Sequence, residues 1–279
     1  VKKDSYAVVG NPIGHSKSPQ IHALFAEQTG QSISYEALQV ELDGFAAAVD
    51  WFQEEGGKGL NITVPFKQQA WELIKDRSER AELAGAVNTI VIRDDGSRYA
   101  DTTDGVGMVR DLTDNNGIEL KGKCILVLGA GGAVRGVLQP LLEQRPMFVI
   151  VANRTASKAV ALAKQFNDFG DVFGCGFDVL PGQQFDLVIN GTAASLEGDV
   201  PPLPDDLLYE NASCYDMMYS AGPTAFQAWA REHGAVQSLD GLGMLVEQAA
   251  ESFSIWRGVR PETGAVIDRL RSDMQGGNQ

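Results

Sequence analysis

The stretch "KCILVLGAGGAVRG", beginning at Lys123, constrains the fold of this chain more than any other. A short run of aliphatic residues leads straight into a glycine-rich turn, and a helical pattern follows. A dinucleotide-binding turn needs glycine where the backbone bends tightly, where it approaches a pyrophosphate and where the helix packs on the strand. Gly129, Gly131 and Gly132 fall in this turn with Ala130 and Ala133, but Val134 stands where the third glycine of the strict pattern would be. Taken alone, the turn is compatible with a nucleotide, with S-adenosylmethionine or with no ligand at all.

The next strand-to-helix step, "MFVIVANRTASKAVALAKQF", narrows the choice. An NAD-binding fold places an acidic residue on the ribose hydroxyl about twenty residues beyond the glycines. This chain has Asn153, Arg154 and Thr155 there, with Lys158 following. Thr155 reads as a helix N-cap, so Lys158 sits in the first turn, where the helix dipole disfavours a cation by roughly a few tenths of a kcal/mol. An anion would relieve that cost, which favours a ribose phosphate, and so NADP, over a merely solvated helix start.

Strands and helices alternate along most of the chain, the signature of an α/β protein. The first half reads as a strand at Tyr6–Val9, a helix with Ser18 as N-cap and Pro19 at its first position, a strand at Ile33–Val40 and a helix over Asp43–Glu55. Gly56-Gly57 stops that helix, "KGLNITVPF" is a strand with its loop, and "VNTIVIRDDGSRYADTTD" is a hairpin turning at Asp95-Gly96. A helix over Gly105–Leu112 leads to a polar connector. Later strands are expected at Phe185–Asn190, Cys214–Met217 and Val236–Leu239, before two C-terminal helices. At 279 residues the prior is two domains.

Composition excludes several classes of function. With 23 Lys+Arg against 37 Asp+Glu the net charge is −14, so neither nucleic acid nor an anionic membrane finds a basic footprint. Cys124, Cys175 and Cys214 are odd in number and widely spaced, which argues against a disulfide framework or a zinc site and for a cytoplasmic setting. The apolar neighbourhood Cys124–Leu142 is broken by Arg135, Gln139 and Pro140 and is no membrane span. His15, His22 and His233 form no metal-ligand pattern, and no G-x-S-x-G nucleophile elbow is present. Trp51, Trp71 and Trp229 read as core packing.

Three stretches of the first half concentrate polar side chains. In "GNPIGHSKSP", Ser16 and Ser18 offer hydroxyls to a carboxylate or phosphate at a helix start, although Ser18 is also explained as a cap. In "NITVPFK", Thr63 and Lys67 flank Pro65, which marks the end of the strand. "AGAVNTI" and "DTTDG" supply Asn88 and Asp104, ordinary turn residues when taken singly.

Taken together and in order, "GNPIGHSKSP", "NITVPFK", "AGAVNT", "DTTDGVG", "GAGGA", "NRTASK", "YDMMY" and "DGLGMLVEQAA" resemble the shikimate dehydrogenase family over nearly the whole chain. The resemblance implies two domains: an N-terminal mixed-sheet substrate domain over residues 1–104, completed by C-terminal helices of 242–279, and a Rossmann-like NADP-binding domain over 105–241. It implies reversible reduction of 3-dehydroshikimate to shikimate with NADP(H), a step of aromatic amino-acid biosynthesis, by a monomer or homodimer. By matching motif positions, Lys67 and Asp104 would be the catalytic pair. Ser16 and Ser18 would bind the substrate carboxylate, and Thr63, Asn88, Asp104 and Gln248 its hydroxyls. Gly129, Ala130, Gly131, Gly132 and Ala133 would receive the pyrophosphate, and Asn153, Arg154, Thr155 and Lys158 the adenosine phosphate end. Met217 and Gly241 would meet the nicotinamide, and Tyr219 would approach the substrate from the cofactor side. Thr102 departs from the usual N-T-D-G string, and Lys158 stands where some members have Arg. Two alternatives are an enzyme that also oxidises quinate, which should carry an acidic residue in place of Arg154, and a non-catalytic NADP sensor, which should have lost Lys67 or Asp104.

Overall fold

The computed structural model describes residues 3–276. The elements run in the order β1 (Asp4–Gly10), α1 (Ser18–Thr29), β2 (Ile33–Gln39), α2 (Phe45–Glu54), β3 (Gly57–Ile62), α3 (Lys67–Leu73), α4 (Glu79–Ala84), β4 (Thr89–Ile92), β5 (Arg98–Asp101) and α5 (Asp104–Arg110). They continue with β6 (Cys124–Leu128), α6 (Gly132–Leu142), β7 (Phe148–Ala152), α7 (Ala156–Gln165), β8 (Val172–Cys175), β9 (Phe185–Asn190), β10 (Leu208–Asp216), α8 (Ala225–Glu232), β11 (Gln237–Leu239), α9 (Leu242–Arg257) and α10 (Gly264–Gly276). Among the described residues no helix is long and apolar enough to cross a membrane.

The chain divides into two compact units. One holds residues 3–107 together with Val246–Val266; the other holds Met108–Leu245 and residues 267–276. All three passages between the units fall inside helices, α5, α9 and α10. The described part of the 242–279 segment is therefore divided between the units. Its last part packs with the second, where Arg271 donates two 2.6 Å bonds to the Asp240 carboxylate.

The first unit is built on a mixed sheet of order β2-β1-β3-β4-β5. β1 runs parallel to β2 and β3, whereas β3–β4 and β4–β5 are antiparallel, β4–β5 being the expected hairpin. Alternation along β1 sends Ala7 and Val9 into a core with Phe45, Val49 and Phe52, which are spaced to share one face of α2. On the opposite face Tyr6 packs against Trp256 of α9, with ring centroids 4.7 Å apart and planes tilted by 31°. In the second unit six parallel strands take the order β11-β10-β9-β6-β7-β8. Renumbered within the unit this is 6-5-4-1-2-3, the doubly wound dinucleotide-binding order, whose strand sequence reverses between β6 and β9.

Several local expectations change. The helix after β1 takes Lys17, not Ser18, as its N-cap; Ser18 is already helical, and its amide donates to the Ser16 hydroxyl at 3.3 Å. The helix expected over Gly105–Leu112 begins at Asp104 and continues past Arg110 as a π-helical turn, Asp111–Asn115. β10 is longer than the apolar run Cys214–Met217 and ends at Asp216. Trp51 is 52% exposed on α2 and is not a core residue. The two glycines near the passages, Gly107 and Gly243, serve close packing. A Cβ on Gly107 would lie 2.7 Å from the Gln248 amide nitrogen, and one on Gly243 would overlap the Asp111 carboxylate.

Candidate active site

In the mixed sheet the C-terminal ends of β1, β3 and β5 and the N-terminal end of β4 lie along one edge, because β4 alone runs the other way. The register aligns Val9 with Ile62, Asn61 with Thr89, and Thr89 with Asp101. The residues that leave this edge are those that the sequence marked: Ser16 and Ser18 after β1, Thr63 and Lys67 after β3, Asn88 before β4 and Asp104 after β5. Close backbone contact holds the first two loops together, since a Cβ on Gly10 would lie 2.8 Å from Ile13 and would overlap Thr63. The Asn11 amide also donates to the Val64 carbonyl at 3.1 Å.

Lys67, the first residue of α3, donates from Nζ to Asp104 Oδ2 at 2.6 Å, with both side chains partly exposed. The other carboxylate oxygen, Asp104 Oδ1, accepts from Asn88 Nδ2 at 3.0 Å. Asn88 is 2% exposed, and its orientation is fixed: Oδ1 accepts from the Thr103 amide at 2.9 Å and the Thr89 hydroxyl at 2.8 Å. Nδ2 must therefore face the acceptors Asp104 and Gln248, whose Oε1 lies 3.1 Å away. Asp104, Lys67, Asn88 and Gln248 thus form one hydrogen-bonded constellation, and α9 brings Gln248 to it from 160 residues away in sequence.

Behind this constellation lies a buried polar layer that the sequence did not announce. The Thr103 hydroxyl donates to the Gln248 carbonyl at 2.9 Å, and Ser252, one turn beyond Gln248, lies 2.7 Å from the Thr89 hydroxyl. Asn61 donates to the Ser252 hydroxyl at 3.1 Å and to the Asn88 carbonyl at 3.1 Å, and accepts from the Tyr35 hydroxyl at 2.7 Å. Burial pushes the Tyr35 hydroxyl well above its ordinary pKa, so it stays a donor, and a hydrogen bond with Ser18 opposes that shift only in part. On the same side, Asp101 holds the segment that carries Asp104: it accepts a bidentate pair from Arg80 at 2.7 Å and a bond from the Thr102 amide at 2.7 Å. Nothing in the structure gives the Thr102 side chain a role.

In the second unit the glycine-rich turn follows β6. Gly129 has φ +102, a left-handed conformation that glycine adopts without strain, and its amide donates to the Ala152 carbonyl at 2.8 Å. Gly131 and Gly132 open α6, and no protein atom lies within 4 Å of where their Cβ atoms would stand. Bare glycine in front of unpaired first-turn amides is what close approach of a pyrophosphate requires. Val134 at the third position is fully buried, and the space for it comes from the opposite side: a Cβ on Gly191, after β9, would overlap Val134 Cγ2. The helix-to-strand close packing that a third glycine provides elsewhere is thus supplied by Gly191.

Thr155 caps α7 by position, but its hydroxyl makes no capping bond, and Arg154, Thr155 and Lys158 are all exposed at this helix start. Asn153 Nδ2 donates to the Thr155 carbonyl at 3.0 Å and shapes the turn. Met217 and Gly241 are brought together, with the Gly241 amide donating to the Met218 carbonyl at 3.0 Å and no room for a Cβ between Gly241 and Met217. Tyr219 follows two residues later, half-buried, its hydroxyl pKa raised first by burial and then by Asp240. These residues fit a dinucleotide phosphorylated on its adenosine ribose.

The model of the shikimate dehydrogenase substrate-binding domain matches residues 8–90. That of shikimate/quinate 5-dehydrogenase matches 111–196, and that of the shikimate 5'-dehydrogenase C-terminal domain 241–271. A shikimate dehydrogenase (NADP(+)) of Marinobacter nauticus is 59% identical, over 97% of this chain and 99% of that protein. The chain belongs to the shikimate dehydrogenase family. Among solved structures, an Ael1 enzyme from Pseudomonas putida is 48% identical with a TM-score of 0.90, over 96% of this chain and 98% of that one. Shikimate 5-dehydrogenase of Thermus thermophilus, solved in complex with NADP(H) and shikimate, is 32% identical with a TM-score of 0.85, over 96% of this chain and 99% of that one.

Proposed function

We propose that this chain catalyses the reversible reduction of 3-dehydroshikimate to shikimate with NADPH. The observation that carries the reading is the ion pair of Lys67 and Asp104, joined through the oriented Asn88 amide to Gln248. Reduction of a ketone builds negative charge on its oxygen, so the site needs a proton donor that also stabilises that charge. The Lys67 ammonium meets both needs, and Asp104 aims it; in the oxidative direction Lys67 takes the proton from the shikimate hydroxyl. Asp104, Asn88, Gln248 and Thr63 present a dense set of donors and acceptors suited to the ring hydroxyls. Ser16 and Ser18 hold the substrate carboxylate; the Ser16 hydroxyl accepts from the Ser18 amide at 3.3 Å, which leaves its own proton to donate.

On the second unit, Gly129, Ala130, Gly131, Gly132 and Ala133 hold the pyrophosphate of NADP(H). Asn153, Arg154, Thr155 and Lys158 hold its 2'-phosphate end, Met217 and Gly241 its nicotinamide, and Tyr219 faces the substrate from that side. NADPH, when bound, supplies the hydride that no side chain can. Arg154 in place of a carboxylate speaks against an NAD-linked quinate enzyme, and the retained Lys67 and Asp104 speak against a sensor. The three free cysteines suit the reducing cytoplasm, where we place the chain. The test is the rate of NADP+ reduction with shikimate and with quinate, and of NAD+ reduction with each. Shikimate with NADP+ should exceed every other pair by at least an order of magnitude, and equal or greater turnover of quinate or NAD+ would overturn the assignment.

A further inference from the structure

β10 ends on a carboxylate that the reaction described above does not use. Asp216 has no solvent exposure and no cationic partner within ion-pair distance among the described residues; its neighbours are neutral donors. Oδ1 accepts from Asn190 Nδ2 at 3.1 Å and from the Met218 amide at 3.1 Å, while Oδ2 accepts from the Ser195 hydroxyl at 2.6 Å and the Thr224 hydroxyl at 2.7 Å. Hydrogen bonds that fill its acceptor sites offset the desolvation cost of a buried carboxylate, and here four bonds fill them. The donors come from four segments: the end of β9, the short turn Ala194–Glu197, the turn after β10 and the N-cap of α8.

Those segments converge on the C-terminal ends of β9 and β10, and β9 in turn borders β6 at the point where the strand order reverses, the crevice in which doubly wound sheets bind dinucleotides. The Asn190 carboxamide, held by Asp216, accepts from the Thr192 amide at 3.1 Å and hydroxyl at 2.7 Å. Thr192 Cγ2 lies 3.3 Å from where a Cβ of Gly129 would stand, so the loop after β9 packs directly on the glycine-rich turn. On the other side Met218, whose amide Asp216 accepts, offers its carbonyl to Gly241, and the sulfur of Met217 would lie 3.1 Å from a Cβ on Gly191. The segments of Met217 and Gly241, expected to meet the nicotinamide, and the loop of Thr192 are thus tied to one carboxylate, while Arg154 and Lys158 stand on α7 and the turn before it, outside this set.

We infer that Asp216 is a positioning residue for hydride transfer: it sets the turn carrying Met217, Met218 and Tyr219 against the loop of Thr192, and so fixes the nicotinamide ring without touching it. This rests on the proposed cofactor site. Asp216→Asn keeps the shape but leaves one oxygen to serve four donors. A displacement on the ångström scale at a reacting centre costs up to about 100-fold, so kcat for shikimate oxidation should fall by about 10- to 100-fold.

The probe that separates positioning from general damage is 2',5'-ADP, which carries the adenosine phosphate end and no nicotinamide. Its dissociation constant should stay within about twofold of wild type in Asp216→Asn, while that of NADP+ rises. A kcat within twofold of wild type, or 2',5'-ADP and NADP+ weakened in parallel, would overturn the inference and leave the proposed reaction standing. A wild-type chain that neither binds 2',5'-ADP nor oxidises shikimate would overturn both. Should Asp216→Asn not fold, Ser195→Ala removes a single donor and carries the same test, with a several-fold fall in kcat at unchanged 2',5'-ADP affinity expected and an unchanged kcat overturning the inference.

Discussion

His22 gives the first unit an acid sensitivity whose size follows from its surroundings. It projects from α1 into a layer of rings: Tyr35 stacks on it at 4.1 Å with planes 6° apart, and Trp256, Phe25 and Phe253 lie 5.5, 5.9 and 6.0 Å away. Both ring nitrogens are buried without a hydrogen-bond partner; Asn61 lies beside the ring and offsets little of the burial, which lowers the imidazole pKa to about 3. In the unfolded chain the value returns to about 6.5. Between the two, the unfolded state binds a proton that the folded state refuses. Stability is therefore full above about pH 6.5 and is lost as the pH falls toward 3. The loss attributable to this one group is about 2 kcal/mol between pH 8 and pH 5, from roughly 1.4 kcal/mol per unit below the unfolded value. His22→Phe preserves the stacking and removes the titration. Urea unfolding at pH 8 and pH 5 should show the wild type losing about 2 kcal/mol more than the variant on acidification, other titrating groups cancelling in the comparison. The Cε1 proton of His22 should keep its neutral-imidazole position across that range in the folded protein. Equal pH dependence in the two proteins, or a His22 resonance that titrates near pH 6, would refute the argument.

Lys67→Ala should lower kcat by about 10²- to 10⁴-fold, with a smaller effect on the Michaelis constant for shikimate, because the ammonium interacts most strongly once charge has developed on the oxygen. Steady-state kinetics decide it; a loss confined to the Michaelis constant would make Lys67 a binding residue. Arg154→Ala should weaken NADPH by about 10- to 150-fold, from a charged hydrogen bond of roughly 1.5–3 kcal/mol, and leave NADH nearly unchanged, as fluorescence titration of both cofactors would read. Gly191→Ala should destabilise the second unit by about 1–3 kcal/mol through overlap with Val134. Adding Val134→Ala should recover most of that loss in thermal unfolding, whereas an unrelieved loss would locate the strain elsewhere.

Periodicity and turn chemistry made most elements legible, since the aliphatic strands, the glycine-rich turn and the Asp95-Gly96 hairpin are each encoded within about ten neighbouring residues. Misreadings came where a hydrogen bond from outside the motif, near or far along the chain, overrides its local preference. Ser18-Pro19 has the form of a cap followed by Pro at N1, yet the Ile13 carbonyl holds the Ser16 amide at 2.9 Å and the helix starts one residue early. The π-helical turn has no local signature either. It carries Asp111 to a 2.7 Å bond with the buried Tyr215 hydroxyl, and that partner is 104 residues away.

The candidate site divides along the same line. Lys67, Asn88, Thr103 and Asp104 sit in distinctive strings, but Ser252 lies in none, and only the sheet register and the approach of α9 bring it beside Thr103. Nor does a string announce compensation: Val134 weakens the glycine pattern as read from sequence, and only the structure shows that Gly191 vacates the space Val134 fills. The physical reason is common to these cases. A buried polar group or a close backbone approach is defined by what stands opposite it, and in a sheet what stands opposite is set by strand order, which neighbouring residues do not encode. Asp216 is the sharpest instance, an acidic residue at the end of an apolar strand that local pattern would turn toward solvent. Its zero exposure follows only once β9, β10 and the cap of α8 are assembled around it.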